Sequence, residues 1–282
     1  MKTLKHELLA LAVGASVCGA QAELKPMDDT AMGKVTGQAG VTIELETKFS
    51  IDEFLYTDQG SLAIEDITVG GAKRTDMFPA IQANLGGISI PGNATDKLDN
   101  MKMDIDILDD GDALIQIFPM SISPVDFRIA TGKWELRPSD TAAGDRTVLM
   151  DNLKIDGVFN QFRAQIDTAT DTLNIQTLFG IDDLDVDIPF LAMGIRDMRM
   201  MSDSYFENSE SGGLNILDAT TSLNMDIYKG PNAAGDASLA VDINEFRADV
   251  AIGGILVGGT SVGSVALDNL AVQDTQMRIY GH

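Results

Sequence analysis

The chain is short of nearly every side chain that enzymes use for proton transfer or nucleophilic attack. It has one cysteine, Cys18, and two histidines, His6 and His282, near the two ends. That excludes internal His-based triads, His-ligated zinc and cysteine nucleophiles from the body of the chain. It also leaves no disulfide to staple the fold. Aromatic residues are scarce at 6%, and the closing Arg278-Ile279-Tyr280-Gly281-His282 has no aromatic at its last position, which argues against a girdled membrane barrel. Basic residues are outnumbered, 20 against 43 acids, for a formal charge of -23. Such a balance opposes nucleic-acid binding and plain electrostatic attachment to anionic lipid. Past residue 22 no apolar run is long enough to span a bilayer as a helix. Carboxylate pairs remain, and glycoside hydrolysis needs only two. In so acidic a chain some acids meet by chance, so the inventory reads as that of a non-enzyme.

What is present begins with a leader. Lys2 and Lys5 precede an apolar run at 8–17, and Ala20-Gln21-Ala22 is a small-x-small cleavage site. Residues 1–22 therefore read as a signal peptide. Cys18 leaves with it, because Val17 stands where a lipoprotein signal has a small residue. Residues 23–40 read as a short helix over 27–35 followed by a glycine-bearing turn, with acids near the helix start and Lys34 near its end. Residues 41–282 read as one β-rich, repeat-like domain. The expected location is exported: the periplasm, an outer-membrane association or the cell surface.

Leu24, Met27, Asp28, Met32, Val35, Thr36, Gly37, Gln38, Gly40, Val41 and Ile43 form a short helix, a Gly turn and the start of a strand just after the leader. This stretch resembles the start of a family of exported proteobacterial proteins, a domain of unknown function also described as pilus-system (Fil-type) proteins. The resemblance implies a cell-envelope or surface protein with envelope or pilus proteins as partners. It brings no catalytic motif. Double-glycine peptide leaders share the acidic helix before a Gly turn, but here Gln38 follows Gly37 and a Sec-type leader comes first.

The body of the chain repeats one frame: apolar, x, apolar, two polar residues, apolar, x, apolar. Its tightest copies are 148–155, around Asp151-Asn152, and 265–272, around Asp268-Asn269. The frame also fits 49–56, 62–69, 179–186 and 241–248. A looser copy at 193–200 uses Arg196, and a half copy covers 98–103. Apolar residues at steps of two line one face of a strand. The middle step of three would send later side chains to the wrong face unless a bulge or corner absorbs it at the polar pair. Asp and Asn suit that place. Each copy is thus expected to be two strand segments meeting at a bend, with one apolar face kept throughout.

Elsewhere alternation dominates, as in Met101-x-Met103-x-Ile105-x-Ile107 and Leu223-x-Met225-x-Ile227, with one buried and one wet face. Turn signals fall at 109–112, 138–144, 208–213 and 230–232. The irregular spacing of the frames disfavours a strict solenoid. The expected fold is all-β: an elongated, curved antiparallel sheet or flattened sandwich with a short N-terminal helix, and a β-solenoid as the alternative. At the level of pattern the frame also looks like the repeats of β-groove lipid-transfer proteins.

Two kinds of site remain. Calcium is the metal the acids would suit. Asp109, Asp110 and Asp112 around Gly111 are its candidate ligands, with Asp182, Asp183, Asp185 and Asp187 as a second cluster. A hairpin turn explains Asp110-Gly111 without metal, and the cofactor expectation is none. Phe190, Met193, Met198 and Met200 are candidates to line an apolar groove, because Met-rich surfaces receive varied partners; packing in a core is the preferred reading for the methionines. The run 252–259 is the most apolar after the leader. Its paired glycines suggest close approach or tight turns, and it reads as the best-buried part of the sheet, with a subunit contact as the alternative. The expected function is a non-enzymatic envelope protein with a structural or adhesive role, in the pilus-associated setting that the resemblance implies; the alternative is an apolar-ligand carrier with a β-groove.

Overall fold

Repetition of a bulged strand frame produces one large antiparallel sheet. The computed structural model describes residues 40–92, 95–139 and 145–281. Its thirteen strands are β1 (Val41–Thr47), β2 (Phe49–Thr57), β3 (Ser61–Gly70), β4 (Leu98–Ile107), β5 (Ala113–Pro119), β6 (Val125–Thr131), β7 (Trp134–Arg137), β8 (Thr147–Asp167), β9 (Thr172–Ile188), β10 (Met193–Met201), β11 (Thr221–Pro231), β12 (Ala237–Val257) and β13 (Thr260–Ile279). The sheet is neither a closed barrel nor a solenoid. The leader, the 27–35 helix and most of the residues that carry the family resemblance lie outside the described residues. Among the described residues no helix is long and apolar enough to cross a membrane.

The polar pairs are where the ladder slips. The register shifts by one across Asp99-Asn100 of β4, across Asn152 of β8, across Arg196-Asp197 of β10 and across Asp268-Asn269 of β13. At each of these the second polar residue takes a left-handed conformation: Asn100, Asn152, Asp197 and Asn269 have φ between 51° and 56°. Asp66, in the frame at 62–69, does the same with φ 51°. Asn and Asp tolerate that region better than other non-glycine residues, and a left-handed residue is what a bulge of this kind needs. The freed amides find carboxylates. Asp197 N–H donates to Asp185 at 3.0 Å, and Asn269 N–H donates to the buried Asp249 at 2.8 Å. Asn269→Val should therefore cost about 1–2 kcal/mol, because a β-branched residue is strained in this region. Asn269→Gly should stay within about 0.5 kcal/mol of the parent. Urea unfolding of both variants checks this, and equal stabilities would refute the bulge's dependence on Asn.

The long strands each serve two arms of the sheet. The start of β8 pairs with β6 and β7, and its end pairs with β5. The start of β9 pairs with β11 and its end with β10. β12 divides between β11 and β10 in the same way, while β13 follows it along both arms. One arm runs β1, β4, β5, β8, β9, β11, β12, β13. The other runs β2, β3, β6 with β7, β8, β9, β10, β12, β13.

The core sits where the arms part. Helix α1 (Pro79–Asn84) and helix α2 (Tyr205–Ser211) fill the fork. Ala72, Met77, Phe78, Ile81, Ile90, Val158, Met201, Leu214 and Ala219 form one buried cluster there. Both helices are too short to read from periodicity. The stretch at 208–213, expected to be a loop, contains the end of α2, which Gly212 closes in the left-handed conformation. The expectation for 252–259 is also corrected. Its glycines do make the β12–β13 turn, with Gly258 and Gly259 at positive φ. Yet most of the run is exposed or half-buried, and only Gly254 is buried. Apolar composition marked a sheet face there, whereas burial is concentrated at the fork.

Candidate functional site

Two surfaces stand out, one polar and one apolar. The polar one lies beside the fork. Five aspartates, Asp126, Asp156, Asp182, Asp218 and Asp249, are exposed by 2% or less in the described fold. Buried carboxylates require partners, and each has them. Arg128 donates to both oxygens of Asp156, at 2.6 and 2.7 Å, and Arg74 reaches the same side chain at 3.1 Å. Arg74 also meets Asp182 at 3.0 Å, and Asp182 accepts the Phe78 N–H at 2.7 Å. Burial pushes the Asp182 carboxyl above its ordinary range, against the pull of these partners. Asp126 is raised for the same reason and accepts the Ala72 N–H. Asp218 holds the first turn of α2 by accepting from Ser204 and Asn208, and it also accepts the Asn215 N–H.

Next to this network lies an open groove of about 580 Å³, lined by Arg128, Thr131, Asn152, Lys154, Asp185, Asp187 and Arg196 among others. Its charges are already matched. Lys154 holds Asp183 at 2.8 Å, which raises the lysine above its usual value. Arg196 is paired with Asp187 and holds that carboxyl below the usual range, with Asn152 adding a bond at 3.1 Å. The second acidic cluster is thus spread over ion pairs rather than gathered around one point. Among the described residues no group of three or more His, Cys, Asp or Glu is placed to hold a metal ion.

Asp109, Asp110 and Asp112 lie in the turn between β4 and β5, beside Gly111 at φ 92°. Leu108 N–H donates to the Asp112 carbonyl at 2.8 Å, and Asp112 N–H donates to the Asp110 side chain at 3.1 Å. The Asp112 carboxylate points to the neighbouring β8–β9 turn. It accepts both the amide and the hydroxyl of Thr168, and that amide holds it below the usual carboxylate range. Asp112 thus ties two hairpins together.

The apolar surface is larger. Directly opposed residues share a face of the sheet. In the first arm Val41, Ile105, Ile115, Ala164, Ile175, Met225 and Ile243 follow one another across successive strands. In the second arm Phe49, Val69, Ile129, Ile155, Leu184, Met198, Ile252 and Val265 do the same. Most members keep intermediate exposure, where a face covered by a second layer would be buried. The bulge at Arg196-Asp197 holds Met193, Met198 and Met200 on one face of β10, opposite Ile188, Leu184 and Ile181. Phe190 is more than half exposed in the turn before it. Of the methionines on β10, Met201 alone belongs to the buried core cluster.

The feature that residue reading missed is the edge. Among the described residues β13 has a partner on one side only, as do β1 and β2 at the opposite end of the sheet. A run of twenty strand residues without proline is its only local signal. No curated protein and no solved structure matches the chain. Its residues 1–109 are similar to a family of unknown function, DUF6160.

Proposed function

We propose that this chain is a non-enzymatic, exported protein of the cell envelope with a structural or adhesive role, in a pilus-associated setting. The observation that carries the reading is the long edge of β13, which is open among the described residues. Natural sheets guard free edges with lysine, proline, bulges or very short strands, and of these β13 has the bulge at Asp268-Asn269. β13 runs for 20 residues with neither Lys nor Pro, and its charges are Asp268, Asp274 and Arg278. Val262, Leu267, Met277 and Ile279 stand exposed along it. Such an edge suits another strand, so the protein acts through contacts with protein partners. The leader at 1–22 and the resemblance at 24–43 support the envelope setting.

The uncovered apolar ladder favours a second reading, in which an apolar ligand lies along the face that holds Phe190, Met193, Met198 and Met200. Native mass spectrometry of the exported protein, purified from a periplasmic and membrane extract without added ligand, separates the two. The structural reading expects a bare chain, a homo-oligomer or a protein complex. A co-purified lipid mass that disappears on delipidation would replace it with the carrier reading.

A further inference from the structure

We propose that the β13 edge of one copy pairs with the β1–β2 edge of the next, so that copies join head to tail into one continuing antiparallel sheet. The inference rests on the structural reading above and names its partner as a second copy of this chain.

Polarity comes first. Every pairing in the sheet is antiparallel, and along either arm the direction alternates from the first strand to β13. β13 therefore runs opposite to β1 and β2, and a copy added by simple repetition meets it antiparallel. Arm order agrees. Going along the chain, β1 lies in the first arm and β2 in the second, whereas β13 begins in the second arm and ends in the first. Antiparallel contact thus sets first arm beside first arm and second beside second.

Register agrees as well. Setting Val41 and Ile43 opposite Ile279 and Met277, whose β12 partners Leu239 and Val241 share a face with Ile243, keeps one apolar face across the contact. Setting Phe49 and Ile51 opposite Val272 and Leu270, whose β12 partners are Phe246 and Ala248, keeps the same apolar face across the contact. The residue in excess between these two sets is Lys48, which stands outside both strands. The same register brings the polar pair Asp52-Glu53 beside Asp268-Asn269, so the frames of the two edges coincide. It also sets Glu46 near Asp274 and Glu53 near Asp268. Those glutamates already hold Lys97 and Arg137, each at 2.7 Å. Val41, Ile43, Phe49 and Ile51 are exposed on their edge. A contact between two different edges is heterologous, and repeated it gives a ring if it closes and a filament if it does not.

The test uses the exported chain, whose residues 40–281 contain no cysteine. Ile43→Cys and Met277→Cys variants are purified separately, mixed and oxidised. A disulfide that forms in the mixture far faster than in either variant alone is the expected result. Met277→Cys coupling to itself at the same rate would mean a two-fold contact of β13 with β13 and would overturn the proposal. So would a protein that stays monomeric by light scattering with no disulfide in any sample. An Ile43→Lys variant guards against misfolding: its circular dichroism should match the parent while its multimers are lost. The two readings fail separately. Copurified lipid removes the structural role and leaves the disulfide unexplained by it, whereas a different protein partner without the mixed disulfide removes only the self-association.

Discussion

Asp156→Ala should lower the stability of the fold by about 3 kcal/mol, the scale of breaking a buried ion pair from one side. Asp156 has no exposed surface and is the shared acceptor of two guanidiniums, Arg128 from β6 and Arg74 from the segment between β3 and α1. Removing it leaves both cations facing each other at the fork. The Arg74 side chain keeps about a quarter of its surface in water and that of Arg128 about a third, so solvent offsets part of the loss. Arg74 also retains Asp182 and Asp76. Asp156→Asn, which keeps one acceptor oxygen, should fall between the parent and the alanine variant. The measurement is the urea midpoint at constant slope, which isolates stability from changes in compactness. Hydrogen exchange should quicken first around residues 72–90, since Arg74 ties that segment to β8 and β9. A loss below about 1 kcal/mol would mean that the pair stabilises no more than an exposed one.

The strand frame was legible because its cause is local. Steps of two set the face, and an Asp or Asn at the slip can take the left-handed conformation that Asn100, Asn152, Asp197 and Asn269 adopt. The Asp109–Asp112 turn was legible for the same reason. The fork was not. Which half of β8 pairs with β5 and which with β6 depends on strands far away in sequence. The buried acids were hidden too. Asp182 and Asp185 look alike in the sequence, yet Asp182 is turned inward to Arg74 and Phe78 while Asp185 stays near the surface with Asp197. Charge is visible in a sequence, but the partner that makes burial tolerable is not. The run at 252–259 shows the converse, since apolar composition cannot tell a covered face from an open one.

Gly180→Ala should be at least as damaging as the loss of Asp156, with a cost of about 3 kcal/mol at the upper end of overpacking. Gly180 sits on β9 at the point where the strand leaves β11 for β10. A methyl group there would overlap the Ala219 carbonyl oxygen and lie 3.3 Å from the Phe78 ring. The ring could yield, but the carbonyl belongs to backbone that leads directly into β11, so relief means moving that strand. Moving it opens the cluster of Phe78, Met201, Leu214 and Ala219 that holds the arms together. The nearby Gly213→Ala is the control: its methyl would meet only the Ser211 hydroxyl at 3.4 Å, and its stability should stay within about 0.5 kcal/mol of the parent. Thermal and urea unfolding of the two variants decide the matter. If they unfold together, the contact between Ala219 and Gly180 is not what sets the geometry of the fork. If only Gly180→Ala is weakened, the angle between the arms, and with it the alignment of β13 along both of them, depends on a missing side chain on β9.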